Sequence, residues 1–127
     1  KITHYNGDRG EMWHFKERIA SLLFLESFIV AKLERDYQNK KLIPLIKSRF
    51  PGCLVLKNDP DYIQGIPDLT VFYGQRWAML EVKRSGNASH RPNQDYYISK
   101  MSKMGFARFI SPDTEDEVLA DMESYLC

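Results

Sequence analysis

Hydrophobic positions in the first quarter of the chain recur at the spacing of an α-helix, which predicts a helix from Glu11 to Leu33. One apolar stripe comprises Ile19, Leu22, Leu23, Ile29, Val30 and Leu33, and the opposite side carries Phe24, Leu25 and Phe28. A helix that is apolar on two sides is normally buried on both, either in its own core or against a second copy of the chain. Before it, residues 1–10 are polar and predict a loose lead-in.

The following apolar positions predict a second helix and then a short strand. Helical spacing continues over residues 34–50, where Pro44 is expected to kink or restart the helix because an interior proline removes a hydrogen bond and clashes with the preceding turn. A Pro-Gly pair at 51–52 ends this helix. The apolar run 53–57 predicts a buried strand, and the polar run 58–65 predicts a loop.

Residues 65–83 predict a β-hairpin. Gly74-Gln75 separates two apolar runs, and glycine at the first central position is typical of a two-residue type II′ turn. With that turn Tyr73 faces Arg76, and counting outward along the strands places Asp68 opposite Glu81. The residues of the other face, Leu69, Val71, Ala78, Leu80 and Val82, are all apolar.

The rest of the chain completes an α/β pattern. A helix is predicted from Arg91 to Met104, opened by a proline and stopped by Gly105. A fourth strand is predicted over 106–110 and a closing helix over 113–126, with Asp113 or Thr114 as its N-cap. Two helices, three strands, a helix, a strand and a helix predict an α/β fold with a small mixed sheet covered by helices.

Composition limits the class of protein without choosing a function. The 127 residues suffice for a single domain and are 43% hydrophobic and 28% charged, as in ordinary globular proteins. Two cysteines form no disulfide framework, which favours a reducing, intracellular setting. The longest apolar run contains Glu26 and is too short to span a membrane, and no secretion signal is present.

Charge is unevenly distributed, although the net charge is only +1. Seven basic and two acidic residues lie between Arg76 and Arg108, whereas six acidic and no basic residues follow from Phe109 onward. The local positive excess beside the hairpin suits a polyanion, and the acidic tail does not. His4 and His14 have no companion ligands at zinc spacing, so neither is expected to bind metal.

One end of the hairpin combines two acids and a lysine on a single face. Asp68 and Glu81 are directly opposed, and Lys83 lies two residues further along on the same side. Two carboxylates that close repel each other unless a cation lies between them, and a hard divalent ion such as Mg²⁺ suits such a pair. The backbone carbonyl of Val82 is a further candidate ligand, and Lys83 could orient a water nucleophile. The alternative is an ordinary ion-pair cluster.

These residues resemble a known nuclease signature. Gly65-Ile66-Pro67-Asp68, twelve further residues and then Glu81-Val82-Lys83 are similar to the PD-(D/E)xK pattern. The GxPD form, Gln94 on the following helix and Glu34 in the run Glu34-Arg35-Asp36-Tyr37-Gln38 resemble more narrowly the VRR-NUC (virus-type replication–repair nuclease) domain of the stand-alone phage and bacterial type. The resemblance covers about residues 33–110.

The resemblance implies a single nuclease domain over 1–127. Its restriction-endonuclease-like αβββαβ core would occupy residues 34–127, and residues 1–33 would form an N-terminal extension and candidate dimer interface. Asp68 and Glu81 would bind Mg²⁺, or Mn²⁺ in its place, with Glu34 assisting directly or through water. Glu26 remains the rival helix carboxylate. Lys83 would position the attacking water, and Gln94 would support the site.

The activity implied by the resemblance is endonucleolytic hydrolysis of DNA, leaving a 5′-phosphate and a 3′-hydroxyl. Stand-alone relatives resemble homodimeric Holliday junction resolvases, so the expected substrate is branched DNA, in the cytoplasm of a bacterial host and with a phage origin suggested by the family alone. The alternatives are a sequence-specific restriction or homing-type nuclease, or a catalytically silent nucleic-acid-binding module on the same fold.

Basic residues after the hairpin are the candidate DNA contacts. The polar run 84–94 suits a loop that follows a phosphate backbone. The candidates are Arg84, His90, Arg91, Lys100 and Lys103, with Arg108 beside them and with Lys40, Lys41, Lys47 and Arg49 as an extension of the positive surface. Tyr96 and Tyr97 could stack on a base, although at least one of two adjacent helical residues is expected to belong to the core.

Overall fold

A computed structural model of the chain describes the backbone of residues 9–127 and the side chains of residues 12–127. The elements are α1 (Arg9–Tyr37), a π-helical turn (Gln38–Leu42), α2 (Ile43–Arg49), β1 (Leu54–Lys57), β2 (Leu69–Tyr73), β3 (Arg76–Val82), α3 (Pro92–Ser102), β4 (Phe106–Ile110) and α4 (Glu115–Leu126). The chain forms two compact units, residues 1–33 and residues 34–127. His4 and most of the predicted lead-in lie outside the described residues.

The unit of residues 34–127 is built on a four-stranded sheet in the order β1-β2-β3-β4. The first two pairings are antiparallel, and β4 pairs with β3 in parallel. Helix α3 supplies the crossover that a parallel neighbour requires. The predicted α/β class and mixed sheet are therefore confirmed.

The hydrophobic core lies on one face of this sheet. The π-helical turn and α2 contribute Leu42 and Ile46, which are completely buried against the strands. Their partners on β2, β3, β4 and α4 are Leu69, Val71, Ala78, Leu80, Val82, Ile110, Val118, Leu119, Met122 and Leu126. Full burial of a leucine- or isoleucine-sized side chain contributes about 1.5–3 kcal/mol, so this face holds the strands in place.

The boundary predicted between the first two helices was wrong. Helix α1 continues without a break to Tyr37, because no glycine or proline interrupts the chain at residues 33 and 34. The break comes later, in the π-helical turn, and α2 restarts with Pro44 in its first turn. That position suits proline because the first turn of a helix has no intrahelical use for its N–H.

The prediction that residues 53–57 form a buried strand was also wrong. Strand β1 lies at the edge of the sheet, and the side chains of Leu54 and Leu56 are 57% and 43% exposed. Only Val55 points toward the core side and packs against it. An apolar run does not distinguish an edge strand from a central one, because both satisfy the same short-range pattern.

In the unit of residues 1–33, α1 is the only element among the described residues. Nine large apolar side chains between Trp13 and Leu33 are exposed, from 43% for Ile19 to 75% for Phe24. Within the described part of this unit, therefore, no partner is present for either side of the helix. No helix of residues 9–127 is long and apolar enough to cross a membrane.

Candidate active site

The β2–β3 hairpin has the predicted register. Tyr73 pairs with Arg76, and the pairing continues outward to Leu69 and Leu80. Gly74 has a φ of 60°, whereas Gln75, like every other non-glycine residue from 9 to 127, does not have a positive φ. A type II′ turn requires this combination at its two central residues. Asp68 and Glu81 follow the last pair in the same register and therefore lie beside each other on the face opposite the core.

Asp68 is held in place by backbone hydrogen bonds on both sides. The Val82 N–H donates to Oδ2 of Asp68 over 2.8 Å, and the Asn58 N–H donates to its backbone carbonyl over 2.8 Å. The Asn58 side chain donates to the Pro67 carbonyl and to Thr70 Oγ1, both over 2.8 Å. Asn58, the residue after β1, thus fixes the end of the loop that leads into Asp68 and β2.

Gln94 connects the lysine to the second carboxylate. Lys83 Nζ donates to Oε1 of Gln94 over 2.8 Å, and Nε2 of Gln94 donates to Oε2 of Glu81 over 3.1 Å. The Arg91 N–H also donates to Oε1 of Gln94, at the start of α3. Glu81 and Lys83 are only 5% and 8% exposed, so this chain of hydrogen bonds fixes both side chains where the sheet meets α3.

Glu34 joins the cluster from the end of α1. Its Oε2 accepts a hydrogen bond from the Arg84 N–H over 3.1 Å, directly after Lys83 in the chain. Its charge interacts with the charges of Lys83 and Asp68. Glu26, the rival carboxylate, is exposed and belongs to the unit of residues 1–33. Geometry within residues 34–127 therefore brings Glu34 to this cluster.

Burial raises the pKa values of the carboxyl groups in this cluster. Desolvation, followed by the charge of Asp68, raises the pKa of Glu81 to about 9. Desolvation also raises the pKa of Asp68 and that of Glu34, against the opposing effect of Lys83. Asp68 and Glu81 share a side-chain hydrogen bond, so without a cation Glu81 retains a proton near neutral pH.

This donor set suits a hard divalent cation. The two carboxylates open onto a cavity of about 660 Å³, whose other walls include Arg91, Asn93 and Gln94. A cation between Asp68 and Glu81 would relieve their mutual repulsion and displace the shared proton. No cluster of three or more His, Cys, Asp or Glu side chains in the described part of the chain is arranged to hold a metal. Mg²⁺ does not require one, since it commonly uses one or two carboxylates and retains waters.

Gly65 permits the close approach of the Asp68 loop to α3. Its φ is 88°, and a Cβ built on it would lie 2.8 Å from the backbone carbon of Asn93. Gly52 has a similar φ of 85° but open space around it. Conformation alone therefore requires glycine at both positions, and tight packing adds a second requirement at Gly65.

Gly65→Ala is expected to lower the free energy of unfolding by about 2–4 kcal/mol, because strain at positive φ adds to a clash with Asn93. Gly52→Ala is the matched control and is expected to cost about 1 kcal/mol, since it carries the strain without the clash. Urea denaturation measures both. Equal losses in the two variants would contradict the packing role of Gly65.

The predicted DNA-contacting residues fall into two groups. Arg84, Arg91, Lys100 and Lys103 have exposed side chains. Arg84 and Arg91 directly flank the cluster, and Lys100 Nζ lies 5.8 Å from the centroid of the Tyr96 ring. Neither Tyr96 nor Tyr97 is fully buried, so the expectation that one of them would belong to the core was wrong. His90 forms the second group: its Nδ1 lies 3.0 Å from Oδ1 of Asp95, and its ring stacks on the Phe109 ring with 3.7 Å between the ring centroids.

Arg108, also predicted to contact DNA, lies away from the cluster of Asp68, Glu81 and Lys83. It pairs with Leu80 across the β3–β4 ladder and therefore lies on the face opposite Glu81. Its guanidinium is 2.9 Å from Asp121 and 3.7 Å from Glu117, both on α4. Strand alternation places Arg108 on the face of the sheet covered by α4, where its guanidinium pairs with these two acids. Partners are likewise present for Lys40 (Asp36), Lys41 (Glu115) and Arg49 (Glu123).

Two supporting residues were missed by the sequence interpretation. Asn58 locks the loop before Asp68, as described above. Asp113 accepts the Gly86 N–H over 2.8 Å and the Ser111 hydroxyl over 2.6 Å, which anchors the loop after Lys83 and lowers the pKa of Asp113. A local signal existed only for Asn58, an asparagine directly after a strand. The Gly86 N–H that Asp113 accepts lies 27 residues away in the chain.

No protein-family model matches this chain, and no curated protein matches it significantly.

Proposed function

We propose that the protein is a metal-dependent deoxyribonuclease that hydrolyses phosphodiester bonds within DNA. The observation that carries the proposal is the cluster of Asp68, Glu81 and Lys83, joined through Gln94 beside an open cavity. A buried glutamate and a buried lysine beside a half-buried aspartate are costly to maintain, and such arrangements are typical of catalytic sites. We assign residues 34–127 to a restriction-endonuclease-like core on the same grounds.

The residues of the chain have distinct roles in this reaction. Asp68 and Glu81 would hold the cation, with the Val82 carbonyl as a further ligand and Glu34 assisting directly or through water. Lys83 Nζ, fixed by Gln94, would orient the attacking water and stabilise negative charge on the phosphate. Water oxygen bonds to phosphorus, the bond to the 3′ oxygen breaks, and a proton ends on that oxygen, leaving a 5′-phosphate and a 3′-hydroxyl.

Mg²⁺, or Mn²⁺ in its place, is the cofactor of the proposal. When bound, it supplies Lewis-acid polarisation of the phosphate and lowers the pKa of a coordinated water. The raised pKa of Glu81 supports this assignment, because a divalent ion is the partner that would allow both carboxylates to ionise.

The proposed substrate is branched DNA, cut by a homodimer inside the cell. Exposed Arg84, Arg91, Lys100 and Lys103 lie on the loop and helix that follow the site, where they can contact phosphates. A dimer would present two such sites to two strands. The described residues form one small sheet unit and one helix, with no separate base-reading element, which favours shape over sequence as the recognised feature.

Cleavage of matched DNA substrates tests the proposal. The purified chain is expected to cut a four-way junction in Mg²⁺ faster than flap, nicked or linear duplexes of the same sequence, and to leave all four intact in EDTA. Faster cutting of linear duplexes at one sequence would favour a restriction-type enzyme instead. Binding without cleavage, in either Mg²⁺ or Mn²⁺, would identify a catalytically silent module and overturn the proposal.

A further inference from the structure

The described part of the first unit cannot bury its own apolar surface. Residues 9–33 form helix α1 and no other element, so its side chains have no packing partner within that unit. Nine large apolar side chains of this helix are 43–75% exposed, and four of them, Ile19, Leu22, Ile29 and Leu33, lie along one side. Contiguous exposed apolar surface of this kind is typical of an interaction site.

One side of α1 has the repeat of a coiled coil. Its seam positions alternate by three and four residues for three heptads: Met12, Phe15, Ile19, Leu22, Glu26, Ile29 and Leu33. Six of the seven are apolar. The opposite side, with Phe24 and Phe28, is interrupted by Glu17 and includes small alanines, so it lacks this repeat. A predominantly apolar heptad repeat sustained over three heptads is typical of a helix that pairs with another helix.

Other occupants fit this surface less well. A helix that lies on a lipid surface gathers its basic residues on one polar face, whereas Lys16, Arg18 and Lys32 of α1 are spread around the helix and Glu26 interrupts the apolar seam. A self-complementary seam requires no partner beyond a second copy, and such pairing is the commonest form of assembly.

We infer that α1 is the dimerisation element of this protein and pairs antiparallel with α1 of a second copy along the seam from Met12 to Leu33. In a parallel pair, Glu26 would meet Glu26 of the second copy in the apolar seam, at a cost from repulsion and desolvation. The antiparallel arrangement separates the two acids and brings each toward the half of the second helix that carries Lys16 and Arg18. This assigns a surface to the dimer proposed above and does not depend on the nuclease chemistry.

Light scattering of seam and off-seam variants tests the inference. The parent chain is expected to have twice the mass of one chain. The seam variant, Leu22→Glu with Ile29→Glu, is expected to have the mass of one chain. The matched control, Phe24→Glu with Phe28→Glu, is expected to keep twice the mass of one chain. Circular dichroism establishes that the unit of residues 34–127 remains folded in each. A monomeric parent, or dissociation of the control, would overturn the assignment of the seam.

Glu26→Leu is a variant that is expected to strengthen dimerisation rather than weaken it. Removing the buried charge from both copies is expected to tighten the dimer at least tenfold, as measured by its dissociation on dilution. Unchanged or weaker dimerisation would contradict the position of Glu26 in the seam.

Chemical cross-linking tests the orientation. In a Cys53→Ser, Cys127→Ser background, a short bis-maleimide reagent is expected to link chains carrying Leu22→Cys, near the centre of the seam, but not chains carrying Leu33→Cys, at its end. Efficient linking through position 33 would show a parallel pair. Because mass and cross-linking are measured without DNA, failure here is distinguishable from failure of the nuclease proposal.

Discussion

Asp68→Asn is expected to reduce Mg²⁺-dependent DNA cleavage to the level seen in EDTA, a loss of about 10³-fold or more. The substitution removes a charged oxygen from the proposed cation site while preserving the shape of the side chain. Its amide oxygen can still accept the Val82 N–H, so the hairpin should remain folded. The measurement is the single-turnover cleavage rate on a four-way junction, with and without Mg²⁺.

Two companion variants make this result specific. Asp116→Asn applies the same chemical change to an exposed carboxylate on α4 and is expected to leave the rate within a factor of about two of the parent. Lys83→Met is expected to lower the rate about 10²- to 10³-fold while preserving stabilisation by Mg²⁺, since it removes the positioning group and leaves the carboxylates in place. Parental cleavage by Asp68→Asn would refute the proposed function.

Glu81→Gln is expected to abolish cleavage and yet stabilise the metal-free protein. Glu81 is almost completely buried beside Asp68, and its pKa of about 9 in the folded chain compares with 4.5 for an ordinary glutamate. A glutamine at this position carries no charge, can accept the hydrogen bond from Gln94 and can donate to Asp68. We expect the free energy of unfolding at pH 8 in EDTA to rise by roughly 3 kcal/mol, after part of the gain is offset by burial of the amide.

The pH dependence follows from the same raised pKa. Between pH 4.5 and 9 the folded chain holds a proton on Glu81 that the unfolded chain has released. The contribution of Glu81 to stability in EDTA is therefore fully present below about pH 4.5 and is lost as the pH rises toward 9. The raised pKa values of Asp68 and Glu34 act in the same direction. Mg²⁺ should restore stability at pH 8, because it binds only the folded site.

Urea unfolding at pH 5 and pH 8, with EDTA or Mg²⁺, measures these effects. Glu81→Gln is expected to flatten the pH dependence and to lose most of the stabilisation by Mg²⁺, whereas Asp116→Asn should behave like the parent. Two results would contradict the raised pKa of Glu81 beside Asp68. One is equal stability of the parent at the two pH values in EDTA, and the other is a Glu81→Gln variant that is less stable than the parent at pH 8.

The hairpin shows how far local pattern can go. One glycine between two apolar runs was enough to predict the turn, the strand pairing and the face on which Asp68 and Glu81 meet, because each residue in a hairpin is positioned by its near neighbours. Helix α3 and strand β4 were predicted within about two residues for a similar reason, since proline and glycine mark the ends of that helix.

Features that depend on distant contacts could not be predicted in this way. The exposure of β1 depends on which strands flank it, and the sequence of β1 alone does not contain that information. The pairing of Arg108 with acids on α4 depends on which face of the sheet α4 covers. The place of Glu34 in the cluster depends on its contact with the Arg84 N–H, fifty residues away in the chain.

By itself, then, the sequence determined the register of the hairpin and the position of α3, since these depend on the order of side chains along a few turns or strands. Only the tertiary structure decided that Gln94 joins Lys83 to Glu81, that Asn58 and Asp113 anchor the two loops, and that the carboxylates are buried enough to raise the pKa of Glu81. Desolvation and long-range hydrogen bonds arise when separate segments pack together, and the spacing of residues along the chain does not record that packing.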